Sequence, residues 1–301
     1  MSAFPVTSIA RHPPAVILSQ STSAKSAVLS MADKSVRHAI VSDDGIQMIG
    51  IVSAKDILNY LGGGDKYSIV KQNFEGNIFK ALESPIAPIV NRKPLVGKTY
   101  ASLPELMALM AKHDIGMLPL LDDDSSIWGV LSERHLFKLF EDNQMFVKVF
   151  EIMSKPIITL DTKSTLLDAM RTMIKYDIRR IPITNEGNLW GIITVKDIIR
   201  FLASTYVQGA IDKGLSEYLF NTNICKISTI CPKTVSPEVD LSDAVKTMNS
   251  FNIGSLIVMS LGCPVGILTE RDFLLKLPKL RGVEFMTDVS RNRVLVGRIH
   301  F

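Results

Sequence analysis

A phrase of eight residues is written four times in the chain. It reads GIVSAKDI at Gly50–Ile57, GVLSERHL at Gly129–Leu136, GIITVKDI at Gly191–Ile198 and GILTERDF at Gly266–Phe273. Each copy opens on glycine and two apolar residues and then passes through Ser or Thr. That pattern predicts a strand that ends in a turn and runs on into a helix. A repeat constrains the fold more than composition can, because each copy must be one small unit that buries its apolar face against another. The copies are unevenly spaced, so the chain is not a strict solenoid.

Each phrase closes a longer unit, clearest in the third copy. KPIITLD (Lys155–Asp161) has a short β-rich core. STLLDAMRTMIKYD (Ser164–Asp177) follows as a helix, with Ser164 placed to cap it and Leu167, Met170 and Ile174 on one face. IRRIPIT is a strand, NEGN a turn and LWGIIT a strand, and VKDIIRFLAS starts a second helix. The order is strand, helix, strand, strand, helix, and the other copies repeat it. Met31, Met110, Met173 and Met248 fill one slot of the first helix, which marks a core position.

The expected fold class is α/β (α+β), with four such motifs packed in pairs. Motifs at about 5–62 and 77–141 form a first pair in 1–143, and motifs at about 147–203 and 222–278 a second in 144–280, since units this small bury little alone. GGGDKYSIVKQNFEGN and STYVQGAIDKGLSEYLFNTN read as joins within the pairs. The tail, 281–301, reads as two strands around DVSRNR. It either closes a sheet edge or offers a docking strand to a partner or a second copy of the chain.

Composition excludes several classes. With 47% apolar and 21% charged residues, the chain has ample core and is not a disordered one. A net charge of +4, spread without a basic run, can favour anionic ligands but falls short of a nucleic-acid footprint. No window approaches the ~20 apolar residues of a membrane span, and MSAFPVTSIARHPP lacks the apolar stretch of a signal peptide. A cytoplasmic protein is expected. Cys225, Cys231 and Cys263 have no CxxC spacing and read as small buried or half-buried thiols.

The phrase itself carries chemistry. Ser53, Ser132, Thr194 and Thr269 stand at helix N-caps, and Asp56, Asp197 and Asp272 three residues on can complete capping boxes. Capping alone accounts for a hydroxyl and a carboxylate at this spacing. A ligand is the other reading, because a helix N-terminus attracts anions. A base precedes the last charged position in every copy: Lys55, Arg134, Lys196 and Arg271. A carboxylate in the same turn repels phosphate but suits ribose hydroxyls, so the set fits a nucleotide. A solvated helix face is the plain alternative for the bases. Arg179 and Arg180 match Arg37 and His38 in the first copy, where the second and fourth copies have Gly116–Met117 and Gly254–Ser255. The third copy is therefore the best supplied.

These residues resemble the CBS-domain family, over four copies and most of the chain. Its signature is a glycine, two apolar residues, Ser or Thr, two variable residues, Asp and an apolar residue. The resemblance implies pseudo-twofold pairs, called Bateman modules, with clefts for AMP, ADP, ATP or S-adenosylmethionine. It implies phosphate contacts from Ser53, Thr194 and Thr269, and ribose contacts from Asp56, Asp197 and Asp272. It implies adenine contacts from the first strand, Val16–Ile17, Ile158–Thr159 and Lys233–Thr234, and phosphate contacts from bases such as Arg179 and Arg180. His135 stands where the second signature has Asp, so a weak or empty site is expected at Ser132 and His135. The architecture is similar to standalone CBS proteins of prokaryotes and archaea and to the gamma subunit of the AMP-activated kinase.

No catalytic constellation is evident. His12, His38, His113, His135 and His300 have no metal spacing, and Gly62–Gly64 lacks the GK[ST] ending of a phosphate loop. The expectation is a sensor that binds adenine nucleotide, AMP first, without a catalytic cofactor or metal, and regulates an unidentified protein. A nucleic-acid-binding regulator and an adaptor with degenerate clefts are the alternatives.

Overall fold

The computed structural model describes residues 5–140, 145–212 and 216–282. All four copies form the expected strand–helix–strand–strand–helix unit. The first strands are short. Ile17–Leu18, Gly97–Lys98, Leu160–Asp161 and Thr234–Val235 each contribute two residues, paired parallel to the next strand. The second and third strands form an antiparallel hairpin, as at Arg180–Asn185 with Asn188–Thr194. The first helices are Ala24–Asp33, Leu103–Lys112, Leu166–Lys175 and Leu241–Ser250. Their shared methionines, Met31, Met110, Met173 and Met248, are fully buried.

Local expectations are corrected or extended at three places. Thr165, not Ser164, caps the first helix of motif three, because its hydroxyl accepts from Asp168 N while Asp168 returns bonds to Thr165. The residues read as joins contain helices, Tyr67–Phe74 and Ile78–Glu83 in one, Thr205–Asp212 and Ser216–Phe220 in the other. Cys231 and Cys263 are exposed, and only Cys225 is half-buried. Of the tail read as two strands, 283–301 lies outside the described residues.

The contacts gather into two compact units that do not follow the expected division at 143. One unit joins Met1–Pro13, Leu95–Ile157 and Pro232–Phe301, and so holds motifs two and four. The other joins Pro14–Pro94 and Ile158–Cys231, and holds motifs one and three. Each has its own apolar core. Met31, Ile57 and Leu58 share one with Met170, Met173 and Ile198. Met110, Phe137 and Phe140 share the other with Met248, Phe273 and Leu277.

Each motif's third strand is bonded on its far side by a segment distant in the chain. Ile51 pairs with Asn91, Val130 with Arg11, Ile192 with Thr229 and Ile267 with Ser154. The segment before motif two thus closes the sheet of motif one, and the chain start closes the sheet of motif two. Motifs three and four exchange their leading segments in the same way.

Among the described residues, no helix is long and apolar enough to cross a membrane.

Candidate functional site

The phrase folds as predicted, a strand feeding a helix through a hydroxyl cap. In motifs one, three and four the cap is a complete capping box. Ser53 accepts from Asp56 N, and Asp56 Oδ2 accepts from Ser53 N at 2.9 Å and Ser53 Oγ at 2.5 Å. Thr194 with Asp197 and Thr269 with Asp272 repeat this geometry at 2.7–2.9 Å. A second amide of each first turn is also taken. Ala54 N donates to Arg37 O and Val195 N to Arg179 O, while Glu133 N donates to Gly116 O and Glu270 N to Gly254 O. The helix ends are therefore well satisfied before any ligand arrives.

Each signature carboxylate keeps its other oxygen, Oδ1, for a cation. Lys66 Nζ reaches Asp56 at 2.5 Å and Arg200 reaches Asp197 at 3.1 Å. Lys276 reaches Asp272 at 2.7 Å, and Ser154 Oγ also donates to it at 2.7 Å. Sequence reasoning did not single out these four partners. Arg200 and Lys276 were readable from their i+3 and i+4 spacing on one helix. Lys66 and Ser154 were not, because each comes from a separate segment. Any further group that bonds one of these carboxylates must share or displace its cation.

The signature bases Lys55, Arg134 and Arg271 clasp the other motif of their unit. Each grips the left-handed residue that ends its partner's first helix. Lys55 pairs with Asp177, Arg271 with Asp114 at 2.5 Å, and Arg134 Nη2 donates to Asn252 Oδ1 at 2.8 Å. Arg134 also bonds Glu270 at 3.0 Å, a carboxylate only 3% exposed.

The two units differ at these helix starts. Motifs one and three place Ala54 and Val195 after the cap, whereas motifs two and four place Glu133 and Glu270, both buried. Motif two also breaks the signature. Ser132 makes no side-chain cap bond, and half-buried His135 cannot close the box. Burial holds the His135 imidazole below its ordinary pKa, helped by Lys138 and Arg11, with Glu270 opposing.

The expected site residues divide between the units. Ile17, Arg37, Ser53, Lys55, Asp56, Ile158, Thr159, Arg179, Arg180, Thr194, Lys196 and Asp197 belong to the unit of motifs one and three. Ser132, His135, Thr234, Thr269, Arg271 and Asp272 belong to the other. Ile158 and Thr159 line a cavity of about 650 Å³ in the first of these.

A family model described as the CBS domain matches residues 6–63, 86–142, 149–204 and 226–279, well over half of the chain. The chain belongs to the CBS-domain family. An uncharacterized 33.4 kDa protein in a ribosomal RNA operon of Thermofilum pendens is 32% identical over 293 residues, 97% of this chain and 98% of that one. The crystal structure of protein MJ1225 from Methanocaldococcus jannaschii, described as a proposed archaeal homologue of g-AMPK, superposes with a TM-score of 0.84 at 25% identity. It covers 90% of this chain and 99% of that one. Inosine-5'-monophosphate dehydrogenase of Aquifex aeolicus is 32% identical over 123 residues, 40% of this chain and 24% of the enzyme. The chain is thus matched over most of its length by relatives of similar size, and in part by a larger enzyme.

Proposed function

We propose that this protein is a regulatory sensor that binds adenine nucleotides, AMP first and ADP or ATP after it, and whose chemistry is binding and not catalysis. One observation carries the reading. In three of four motifs a hydroxyl and a carboxylate are locked together at a helix start with bases beside them, Ser53–Asp56, Thr194–Asp197 and Thr269–Asp272. That set offers donors and cations to phosphate and a carboxylate to ribose hydroxyls. The likeness to MJ1225, and the description of that protein as a proposed relative of g-AMPK, supports adenosine ligands.

Electrostatics favour the unit of motifs one and three. Glu133 and Glu270, the latter ion-paired with Arg134, place buried carboxylates at the helix starts of the other unit, where they disfavour an arriving phosphate more than Ala54 and Val195 do. Motif three, with Arg179 and Arg180 at the start of its second strand, is the best supplied site, and motif two the poorest. The protein acts in the cytoplasm on a partner protein, with the nucleotide as its signal.

Calorimetric titration of nucleotide-free protein with AMP, ADP, ATP and S-adenosylmethionine tests this. Binding at one to three sites is expected, with Asp197→Ala weakening the tightest. A folded, nucleotide-free protein that gives no heat with any of the four overturns the proposal.

A further inference from the structure

We propose that Ser35 is a phosphorylation site, and that its phosphate pairs with Lys196 to clasp motif one to motif three. The receivers of the signature bases hold one place in the repeat. Asp114, Asp177 and Asn252 each stand four residues after the shared buried methionine of their motif. Each has a left-handed backbone, with φ of +53°, +53° and +50°. Their side-chain oxygens meet Arg271, Lys55 and Arg134 of the opposing motif. In motif one the same place, four residues after Met31, is Ser35 with φ +51°.

Lys196 is the signature base of motif three. Its helix, Val195–Leu202, packs on the first helix of motif one, Ala24–Asp33, which ends just before Ser35. The relation that joins Lys55 of motif one to Asp177 of motif three is therefore returned between Lys196 and Ser35. Ser35 brings to it a hydroxyl, where the other receivers bring a carboxylate or an amide. The residue is exposed, and its Oγ has no hydrogen bond among the described residues, so the hydroxyl is open to modification. A phosphate on Oγ adds nearly two negative charges and three strong acceptors. Its oxygens stand one bond farther from Cβ than those of an aspartate, so it reaches at least as far toward the lysine. A helix C-terminus opposes an anion, yet Asp114 and Asp177 sit at the same point of their helices, held by their bases. The repeat thus accepts negative charge here when a base faces it. Asp33, which would oppose the phosphate, is paired with Lys34 at 2.9 Å, and Arg37 follows two residues on. The co-reactant is a nucleoside triphosphate, used by a protein kinase. Ser35 Oγ bonds to the γ-phosphorus, and the bond to the β–γ bridging oxygen breaks with its electron pair leaving on the diphosphate. The hydroxyl proton passes to a base of the kinase.

The test needs no nucleotide ligand, so it is separate from the sensing reading. The full chain is made with phosphoserine at position 35 and compared with the unmodified chain, each nucleotide-free. Phosphorus NMR is expected to place the second phosphate pKa below its ordinary value of about 6, because a cation beside it favours the dianion. The melting temperature is expected to rise on phosphorylation. Lys196→Ala should return the phosphate pKa to its ordinary value and remove the rise, and Lys196→Arg should keep both effects. Should Lys196→Ala fail to fold by circular dichroism, Lys196→Gln takes its place with the same expectation. A phosphate that titrates alike with and without the lysine overturns the proposal, as does a phosphoserine chain that melts no higher than its parent. Mass spectrometry of the protein purified from its native cells is expected to find phosphate on Ser35. A bare Ser35 at every stage of growth overturns the assignment of the site.

Discussion

The glycine that opens each phrase is set by a crossing of chains and not by a ligand. A Cβ on Gly191 would lie 2.8 Å from Thr229 O, and one on Gly266 would lie 2.8 Å from Met153 Sδ. At Gly50 and Gly129 the obstacles are the carbonyl oxygens of Asn91 and Arg11, closer still. Gly50→Ala must therefore push apart the bridge between Ile51 and Asn91. A loss of about 1–3 kcal/mol in chemical denaturation is expected, the usual cost of overpacking; an unchanged midpoint would show the crossing to be slack. The glycine was legible as a repeat, but its reason was not, because Asn91 and Thr229 are far from it in sequence. The hydroxyl–carboxylate pairs were legible in full, since a capping box is a matter of four consecutive residues. His135 was legible as a departure, and the structure adds its burial. Its folded pKa lies below the unfolded value, so the unfolded chain binds the extra proton as pH falls through the range near 6.5. Stability from this group is present at neutral pH and lost on acidification. His135→Gln should lose less melting temperature than the parent between pH 7.5 and 5.5, and an equal loss in both would remove His135 from the account.

At the scale of elements, the same base does different work in the two units. Lys55 and Asp177 form an ion pair whose carboxylate is well exposed, a setting in which such pairs contribute about 0–1 kcal/mol. Arg134 reaches a carboxylate that is buried. Removing one partner of a buried pair costs on the order of 3 kcal/mol, because the remaining charge stays out of water. Arg134→Ala is thus expected to lower stability clearly more than Lys55→Ala in parallel urea titrations, and equal effects would show that Glu270 is held by its other neighbours. Sequence reasoning placed these bases on a solvated face or against phosphate. The clasp was hidden because its receivers, Asp114, Asp177 and Asn252, stand in turns of other motifs. The helices at Tyr67–Phe74 and Thr205–Asp212 were hidden for another reason. Each follows glycine or serine and polar residues that read as turn chemistry, while neighbouring apolar residues such as Val70 and Val207 find their burial only in the folded core.

The division of the whole molecule was the least legible feature. Chain order suggested consecutive motifs as compact halves, yet contacts gather motif one with three and motif two with four. Apolar helix faces carry no label for the helix they will meet, and the turn Gly62–Gly64 that touches Ile174 reads from sequence only as part of a join. The grouping has a consequence for the proposed sensing. Both alanine- or valine-started helices fall in one unit and both glutamate-started helices in the other. The signature carboxylate of motif four is buried and already held by Ser154 and Lys276. Phosphate should then settle first where no buried acid opposes it. With saturating AMP, hydrogen exchange is expected to slow at 53–57 and 194–198 more than at 132–136 and 269–273. Ligand bound there holds the helix starts closed, and exchange from their already bonded amides needs local opening. Protection confined to 269–273 would reverse the assignment, since it would mean that the capped Thr269–Asp272 pair outweighs the repulsion from Glu133 and Glu270.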